Sequence, residues 1–163
     1  MLTKKSRLLL GLTAAAPLLF AACTDNSIFN PMADAAGSYQ LTVYAGRTPP
    51  ATYTIQPNDP TYGTIAPNGG TLVVTGGNLV LNSNGTFVET NNYTITPSGG
   101  SAQQYSYVSS GTWTLNGTTF YLSDPSRNRQ VTGTLEADLN NNLTVNYSED
   151  DGTGTLQQYE YKR

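Results

Sequence analysis

The chain of 163 residues has no histidine and only one cysteine, Cys23. The lack of histidine excludes a Ser-His-Asp triad and any histidine-ligated metal. A single cysteine cannot form an internal disulfide, so the fold has to rest on a hydrophobic core. The commonest hydrolytic and zinc-dependent chemistries are therefore excluded.

Charged residues are also few, at 12% of the chain, and lysine is nearly absent after the first residues. Lys4, Lys5 and Arg7 precede the first apolar run, and Lys162 is the only lysine after it. Removal of residues 1–22 takes three of the eight basic residues and none of the eleven acidic ones, which leaves a net charge of 5 minus 11, or −6. Such a chain lacks the basic surface that nucleic-acid binding requires. We therefore predict no nucleic-acid partner.

Carboxylates are the remaining groups from which a catalytic or metal site could be built. Glu89, Glu136 and Glu160 lie in or beside predicted strands, on faces that are outward or uncertain, so they form no evident acid and base pair. The acidic run at 149–152 ends in Asp-Gly, which is a turn signal and does not match an EF-hand. We predict no catalytic residue, no metal and no cofactor, and we classify the protein as not an enzyme.

The first 22 residues have the plan of a signal peptide. Three basic residues are followed by an apolar run over 8–20 and by two alanines before Cys23. The run is shorter than the roughly 20 residues that span a bilayer. Pro17 also interrupts it. We expect residues 1–22 to be removed during export.

The last residues of this segment resemble the bacterial lipobox, in which an apolar residue and two small residues precede an invariant cysteine. They are Phe20, Ala21, Ala22 and Cys23. The resemblance implies cleavage before Cys23 and lipidation of its thiol with fatty acids such as palmitate. Two or three acyl chains make a durable membrane anchor. Thr24, in place of an aspartate after the cysteine, favours the outer membrane of the cell envelope.

The rest of the chain divides at residue 36. Residues 23–36 are rich in Asn, Asp, Ala and Pro without a sustained period, and we interpret them as a flexible tether. Over 37–163, short segments rich in Thr, Val, Tyr and Leu alternate with Gly, Asn, Pro and Ser clusters. This pattern predicts one all-β domain. Its eight to ten consecutive strands favour an up-and-down antiparallel β-barrel, because closure removes the exposed edges.

Turn residues predict three hairpins in which apolar partners share the face that we assign to the barrel interior. The predicted partners are Leu81 and Phe87 across the loop 83–85, Trp113 and Phe120 across Asn116-Gly117, and Leu135 and Tyr147 across 140–142. Eleven candidates would line or fill the lumen: Tyr39, Leu41, Leu81, Phe87, Trp113, Leu115, Phe120, Val131, Leu135, Val145 and Tyr147. Four other tyrosines are expected to point outward, namely Tyr44, Tyr105, Tyr107 and Tyr121.

Several short motifs resemble those of the lipocalin-like domains in small bacterial lipoproteins. They are Gly37, Tyr39 and Leu41, then Gly46 with Pro49-Pro50, Leu79-Val80-Leu81 before Gly85-Thr86-Phe87, Gly111-Thr112-Trp113 with Asn116-Gly117, Gly133-Thr134-Leu135, and Leu143-Thr144-Val145. The resemblance covers about residues 37–163 and implies a lipocalin-like barrel. Larger lipocalins have a tryptophan where this chain has Tyr39, and a late arginine packs on it. Arg163 or Lys162 would take that role here.

Two functions are compatible with these features. The first is binding of a small apolar ligand inside the barrel, because eight strands leave an interior that is either filled or holds one small ligand. The alternative is a cell-envelope interaction or inhibitor protein that binds a protein or a glycan through loops such as 57–70 and 96–104. Both hypotheses describe a monomer that a lipid on Cys23 anchors to the membrane.

Overall fold

The computed structural model describes residues 31–150 and 155–163. The signal peptide expected over 1–22, the lipidation site at Cys23 and most of the tether expected over 23–36 lie outside these residues. Among the described residues, no helix is long and apolar enough to cross a membrane.

The described residues form nine β-strands and two very short helices. The strands are β1 (Gly37–Tyr44), β2 (Ala51–Pro57), β3 (Asn68–Leu81), β4 (Thr86–Pro97), β5 (Gln103–Asn116), β6 (Thr119–Asp124), β7 (Arg129–Ala137), β8 (Leu143–Asp150) and β9 (Leu156–Lys162). The helix α1 (Pro31–Ala35) precedes β1, and a single 3-10 turn (Pro125–Arg127) connects β6 to β7.

Eight of the strands close into an antiparallel barrel. From β3 to β9, each strand pairs antiparallel with the next. Strand β1 pairs with β9 on one side and with the C-terminal part of β3 on the other, which completes the ring. Strand β2 pairs with the N-terminal half of β3, at residues that do not pair with β1. The predicted fold, an all-β, up-and-down, lipocalin-like barrel of eight to ten strands, is confirmed.

The hairpin between β3 and β4 has the predicted register. Leu81 lies opposite Phe87, and Gly85 has a φ of 80°, as the left-handed position of a three-residue loop requires. The two apolar side chains are buried on the inner face. The turn chemistry of this loop was therefore sufficient to predict both the pairing and the face.

The predicted registers of the other two hairpins are wrong by two residues. Trp113 lies opposite Leu122, because the two-residue turn is Gly117-Thr118 rather than Asn116-Gly117. Leu135 lies opposite Val145, because the loop over 138–142 is longer than expected. A shift of two residues preserves the face of each side chain, so these residues still point into the barrel.

One end of the barrel is closed by packed side chains and by α1. Trp113 and Tyr39 are buried there, and the indole Nε1 of Trp113 donates to the carbonyl of Asn82 at 2.9 Å. The guanidinium of Arg163 lies 5.6 Å from the centre of the Tyr39 ring and donates to the carbonyl of Ala36 at 2.6 Å. The last residues assigned to the tether, 31–36, thus pack against this closed end.

Candidate functional site

The end of the barrel opposite α1 opens into a pocket of about 240 Å³. The N-terminal ends of β3, β5, β7 and β9 and the C-terminal ends of β1, β4 and β8 surround it, together with the loop between β2 and β3. Leu72 and Val74 form an apolar wall, and Glu89 and Arg129 lie at the bottom. The barrel is therefore filled at one end and hollow at the other.

A buried arginine organises the bottom of the pocket. Arg129 Nη1 donates to Glu89 Oε2 at 2.7 Å, and Arg129 Nε and Nη2 donate to the carboxylate of Glu149 at 2.7–2.9 Å. Burial by itself lowers the pKa of the guanidinium, but the hydrogen bonds to Glu149 and the charge of Glu89 outweigh burial, and the net pKa is raised. Arg129 is therefore a permanent cation held between two glutamates.

All five N–H groups of Arg129 have partners inside the protein. Besides the two carboxylates, Nη1 donates to Ser109 Oγ at 3.0 Å and Nη2 donates to the hydroxyl of Tyr147 at 3.2 Å. A guanidinium has five donors and no acceptor. No donor of Arg129 is left over for a ligand.

Glu89 accepts hydrogen bonds from two tyrosines of the barrel interior. Its Oε1 accepts from the hydroxyl of Tyr161 at 2.6 Å, from the hydroxyl of Tyr147, and from Asn91 Nδ2 at 2.9 Å. The side chain of Glu89 is fully buried. Among the described residues, every buried side-chain nitrogen and oxygen has a hydrogen-bond partner. Complete pairing is what makes a buried charged group tolerable.

The 3-10 turn between β6 and β7 fixes the position of Arg129. Asp124 begins the turn by accepting from the backbone N–H of Ser126 at 3.1 Å, and Asn128 ends it in the left-handed conformation. Hydrogen bonds from the hydroxyl of Ser126, and also from Ser109, outweigh burial and lower the pKa of Asp124 to about 2. Arg129 follows directly as the first residue of β7, with its side chain turned inward.

Tyrosine rings form half of the remaining pocket wall. Five tyrosines line it: Tyr44, Tyr62, Tyr93, Tyr107 and Tyr159. Tyr44 packs edge-on against Tyr159 with ring centres 5.1 Å apart, and Tyr62 packs edge-on against Tyr93 at 6.4 Å. Burial raises the pKa of Tyr62 and Tyr159, so both phenols are neutral at physiological pH. The tyrosine part of the wall is therefore aromatic and uncharged.

The loop between β2 and β3 holds one of these rings over the pocket. Asp59 Oδ1 accepts from the backbone N–H groups of Thr61 and Tyr62, both at 2.9 Å, which fixes the turn that presents Tyr62. Ala66 at the end of the loop is fully buried. This loop is therefore an ordered part of the site.

The eleven lumen candidates lie inside the barrel but do not line this pocket. Ten of them are buried, and Leu115 is half-buried against the same core. Only Tyr147 reaches the site, through its hydroxyl contacts with Arg129 and Glu89. The prediction that these side chains point into the barrel is thus correct. The pocket lies in another part of the interior, at the open end.

Sequence reasoning misplaced several residues of the site. Glu89 was expected on an outward or uncertain face, yet it shares the inner face of β4 with Phe87. Tyr105 and Tyr107 were expected outside, yet both share the inner face of β5 with Trp113. Strict alternation from Phe87 and Trp113 would have placed Glu89 and Tyr107 on the inner face. Tyr121 is exposed on β6, as expected.

Tyr44 points inward for a reason that alternation cannot reveal. A bulge between Leu41 and Val43 shifts the pairing of β1 with β9, so that Tyr44 lies opposite Tyr159 on the inner face. After its first residue, Gly37, strand β1 contains neither proline nor glycine that would signal this bulge. Within the part of the chain that the structure describes, no three acidic residues lie close enough to hold a metal ion.

Comparisons with protein families, with curated proteins and with solved structures find no match to this chain.

Proposed function

We propose that the protein is an exported lipoprotein, anchored in the outer membrane through a lipid on Cys23, and that its barrel binds one small ligand in the open-end pocket. The observation that carries the binding function is the pocket itself, a cavity of about 240 Å³ above a fully paired charged cluster. Concave sites with apolar walls and a few fixed polar groups are where small molecules bind.

The ligand is small and has both apolar and polar parts. The cavity lies just below the range of about 300–1,000 Å³ typical for drug-sized ligands. Leu72 and Val74 offer apolar contacts on one side, whereas Glu149 and Asp150 offer carboxylate oxygens on the other. A wholly apolar ligand, which the sequence suggested, would make no hydrogen bond to these carboxylates.

The position of the pocket fits an anchored protein. Residues 24–30 separate Cys23 from α1, and α1 packs at the closed end of the barrel. A lipid on Cys23 would therefore hold the closed end toward the membrane and leave the pocket mouth facing away from it. The contact of Arg163 with Tyr39 at that end supports the resemblance to lipocalin-like lipoproteins.

The proposal is tested on the full chain, expressed with its leader and purified in a non-ionic detergent. Native mass spectrometry is expected to give a lipid-modified N-terminus at Cys23 and one small adduct per chain. Gln157→Trp, which fills the pocket, should remove the adduct. Gln158→Trp is the matched control, because Gln158 is exposed beside it and does not line the pocket.

Two outcomes would contradict the proposal. An adduct that persists in Gln157→Trp would place ligand binding outside the pocket. Membrane fractionation tests the anchor separately, because Cys23→Ser removes the only thiol and should move the protein to the soluble fraction. If Cys23→Ser stays in the membrane pellet without detergent, the lipid anchor is wrong.

A further inference from the structure

We propose that the ligand of the open-end pocket is a small organic cation, an ammonium or quaternary ammonium group on a short apolar body. The inference rests on the proposed ligand-binding function and names the chemical class that the site selects. Three features support it: the negative charge of the lining, the occupation of every Arg129 donor by protein groups, and the tyrosine wall.

The lining of the pocket has an excess of negative charge. It contains three carboxylates, on Glu89, Glu149 and Asp150, against one cation, Arg129, which is a net charge of −2. The side chain of Glu149 is 29% exposed, whereas that of Glu89 is fully buried. A ligand in the pocket thus meets the carboxylate of Glu149 rather than that of Glu89.

The arginine that lines the pocket, Arg129, has no free donor for an anionic ligand. Every donor of Arg129 is already directed at Glu89, Glu149, Ser109 or Tyr147. Arg127 does not line the pocket, and its Nε donates to the carbonyl of Val108 at 2.9 Å. An anion would have to break the buried contacts of Arg129 and leave the carboxylate of Glu89 or Glu149 without its cation, so binding of an anion is disfavoured.

The aromatic wall favours a positive charge directly. The face of an aromatic ring carries partial negative charge, and cations bind over it within about 6 Å of the ring centre. The chain already uses such contacts, because the Arg127 guanidinium lies 4.7 Å from the centre of the Tyr107 ring. Tyr44, Tyr62, Tyr93 and Tyr159 offer further rings in the same cavity. Neutral phenols and a carboxylate together form a cage that suits an ammonium group.

The test compares three probes of nearly the same shape and different charge by isothermal titration calorimetry, with the full chain in non-ionic detergent. The probes are choline, its neutral carbon analogue 3,3-dimethyl-1-butanol, and the anion 3,3-dimethylbutanoate. Choline is expected to bind at least about ten-fold more tightly than the neutral alcohol, and the anion is expected not to bind. Added salt should weaken choline binding, because screening reduces the attraction of the carboxylates.

Two matched pairs of variants locate the binding. Tyr62→Leu should weaken choline binding by about 3- to 30-fold, the range expected for loss of one cation–π contact, whereas Tyr62→Phe keeps the ring and should retain most of the affinity. Asp150→Asn should weaken binding of choline but not of the neutral alcohol. Glu136→Gln removes the same charge from an exposed position on β7 and should change neither.

The outcomes separate this inference from the function on which it rests. If the neutral alcohol binds as tightly as choline, or if the anion binds best, the cation inference is wrong and the pocket remains a ligand site. If none of the probes binds while native mass spectrometry finds a pocket adduct without a cationic group, the cation inference alone fails. If no probe binds and no adduct is found, both fail.

Discussion

Arg129 carries a full charge in the interior of the barrel, and the fold tolerates this buried charge only because of its partners. The residue is 7% exposed, and it contacts Glu89 on one side and Glu149 on the other. Transfer of a charge out of water costs several kcal/mol, which is recovered only when the partners and hydrogen bonds are complete. Removal of one member would therefore leave another charge buried and unpaired.

This dependence predicts a large effect of a single substitution. Arg129→Met should lower the free energy of unfolding by about 3–5 kcal/mol, because Glu89 would remain buried without its cation. The double variant Arg129→Met/Glu89→Gln should recover part of the loss. Urea denaturation measures both. Lys162→Met is the control, because Lys162 is 52% exposed in its ion pair with Glu160 and should change stability by less than about 1 kcal/mol. An equal loss in Arg129→Met and Lys162→Met would contradict the role assigned to the buried cluster.

The individual residues of the site differ in how far the sequence predicts them. Phe87 and Trp113 are evident core residues, and a period of two from each leads to Glu89 and Tyr107. The same period leads from Val131 to Arg129, but a lone arginine after a turn is usually a solvated residue, so its burial is not expected. Its burial is a property of the closed barrel, which brings β7 and β4 to face each other across the interior.

At the scale of the strands, faces are more predictable than registers. The alternation of apolar residues determines which side chains enter the barrel, and a shift of two residues leaves that alternation unchanged. The register depends on the loop instead. In the loop over 138–142, Asp138 accepts from the backbone N–H groups of Asn140 and Asn142, which stabilises a five-residue turn that a run of asparagines did not predict.

The pairing of β5 with β6 also depends on a close approach of their backbones. A Cβ atom added at Gly111 would lie 2.0 Å from the carbonyl oxygen of Ser123 on the neighbouring strand β6. That distance is far inside van der Waals contact, and the atom it meets belongs to the backbone. Strands β5 and β6 can approach this closely only because residue 111 has no side chain.

Gly111→Ala should therefore destabilise the barrel by about 1–3 kcal/mol, the usual cost of forcing extra volume into a packed site. Gly100→Ala is the matched control, because its added methyl would lie in an exposed turn at 3.3 Å from the Pro97 side chain. Thermal unfolding monitored by circular dichroism compares the two. If Gly111→Ala unfolds at the same temperature as Gly100→Ala, β5 and β6 do not approach as closely as described.

The whole molecule divides into a filled half and a hollow half, and tyrosine lies at the boundary. Tyr147 and Tyr161 are buried in the middle of the barrel, and their hydroxyls bond to Glu89. Tyr159 stacks on Tyr147 from the pocket side, with ring centres 4.8 Å apart. The general fold followed from the pattern of the sequence, but this boundary did not, because it depends on which inward residues are large enough to meet across the barrel.

The buried tyrosines predict how the stability of the molecule depends on alkaline pH. Burial, followed by the charge of Glu89, raises the pKa of Tyr147 and Tyr161 well above the usual value of 10.0, so the folded state keeps protons that the unfolded state loses. The contribution of these two tyrosines to the free energy of unfolding is fully present below pH 10. It falls as the pH rises above 10, by up to about 1.4 kcal/mol per pH unit for each tyrosine. Urea denaturation between pH 8 and 11 measures the slope. Tyr161→Phe should make the slope shallower, whereas Tyr121→Phe, whose side chain is 40% exposed, should leave it unchanged. Equal slopes in wild type and Tyr161→Phe would mean that Tyr161 ionises without unfolding, and that the centre of the barrel is open to water.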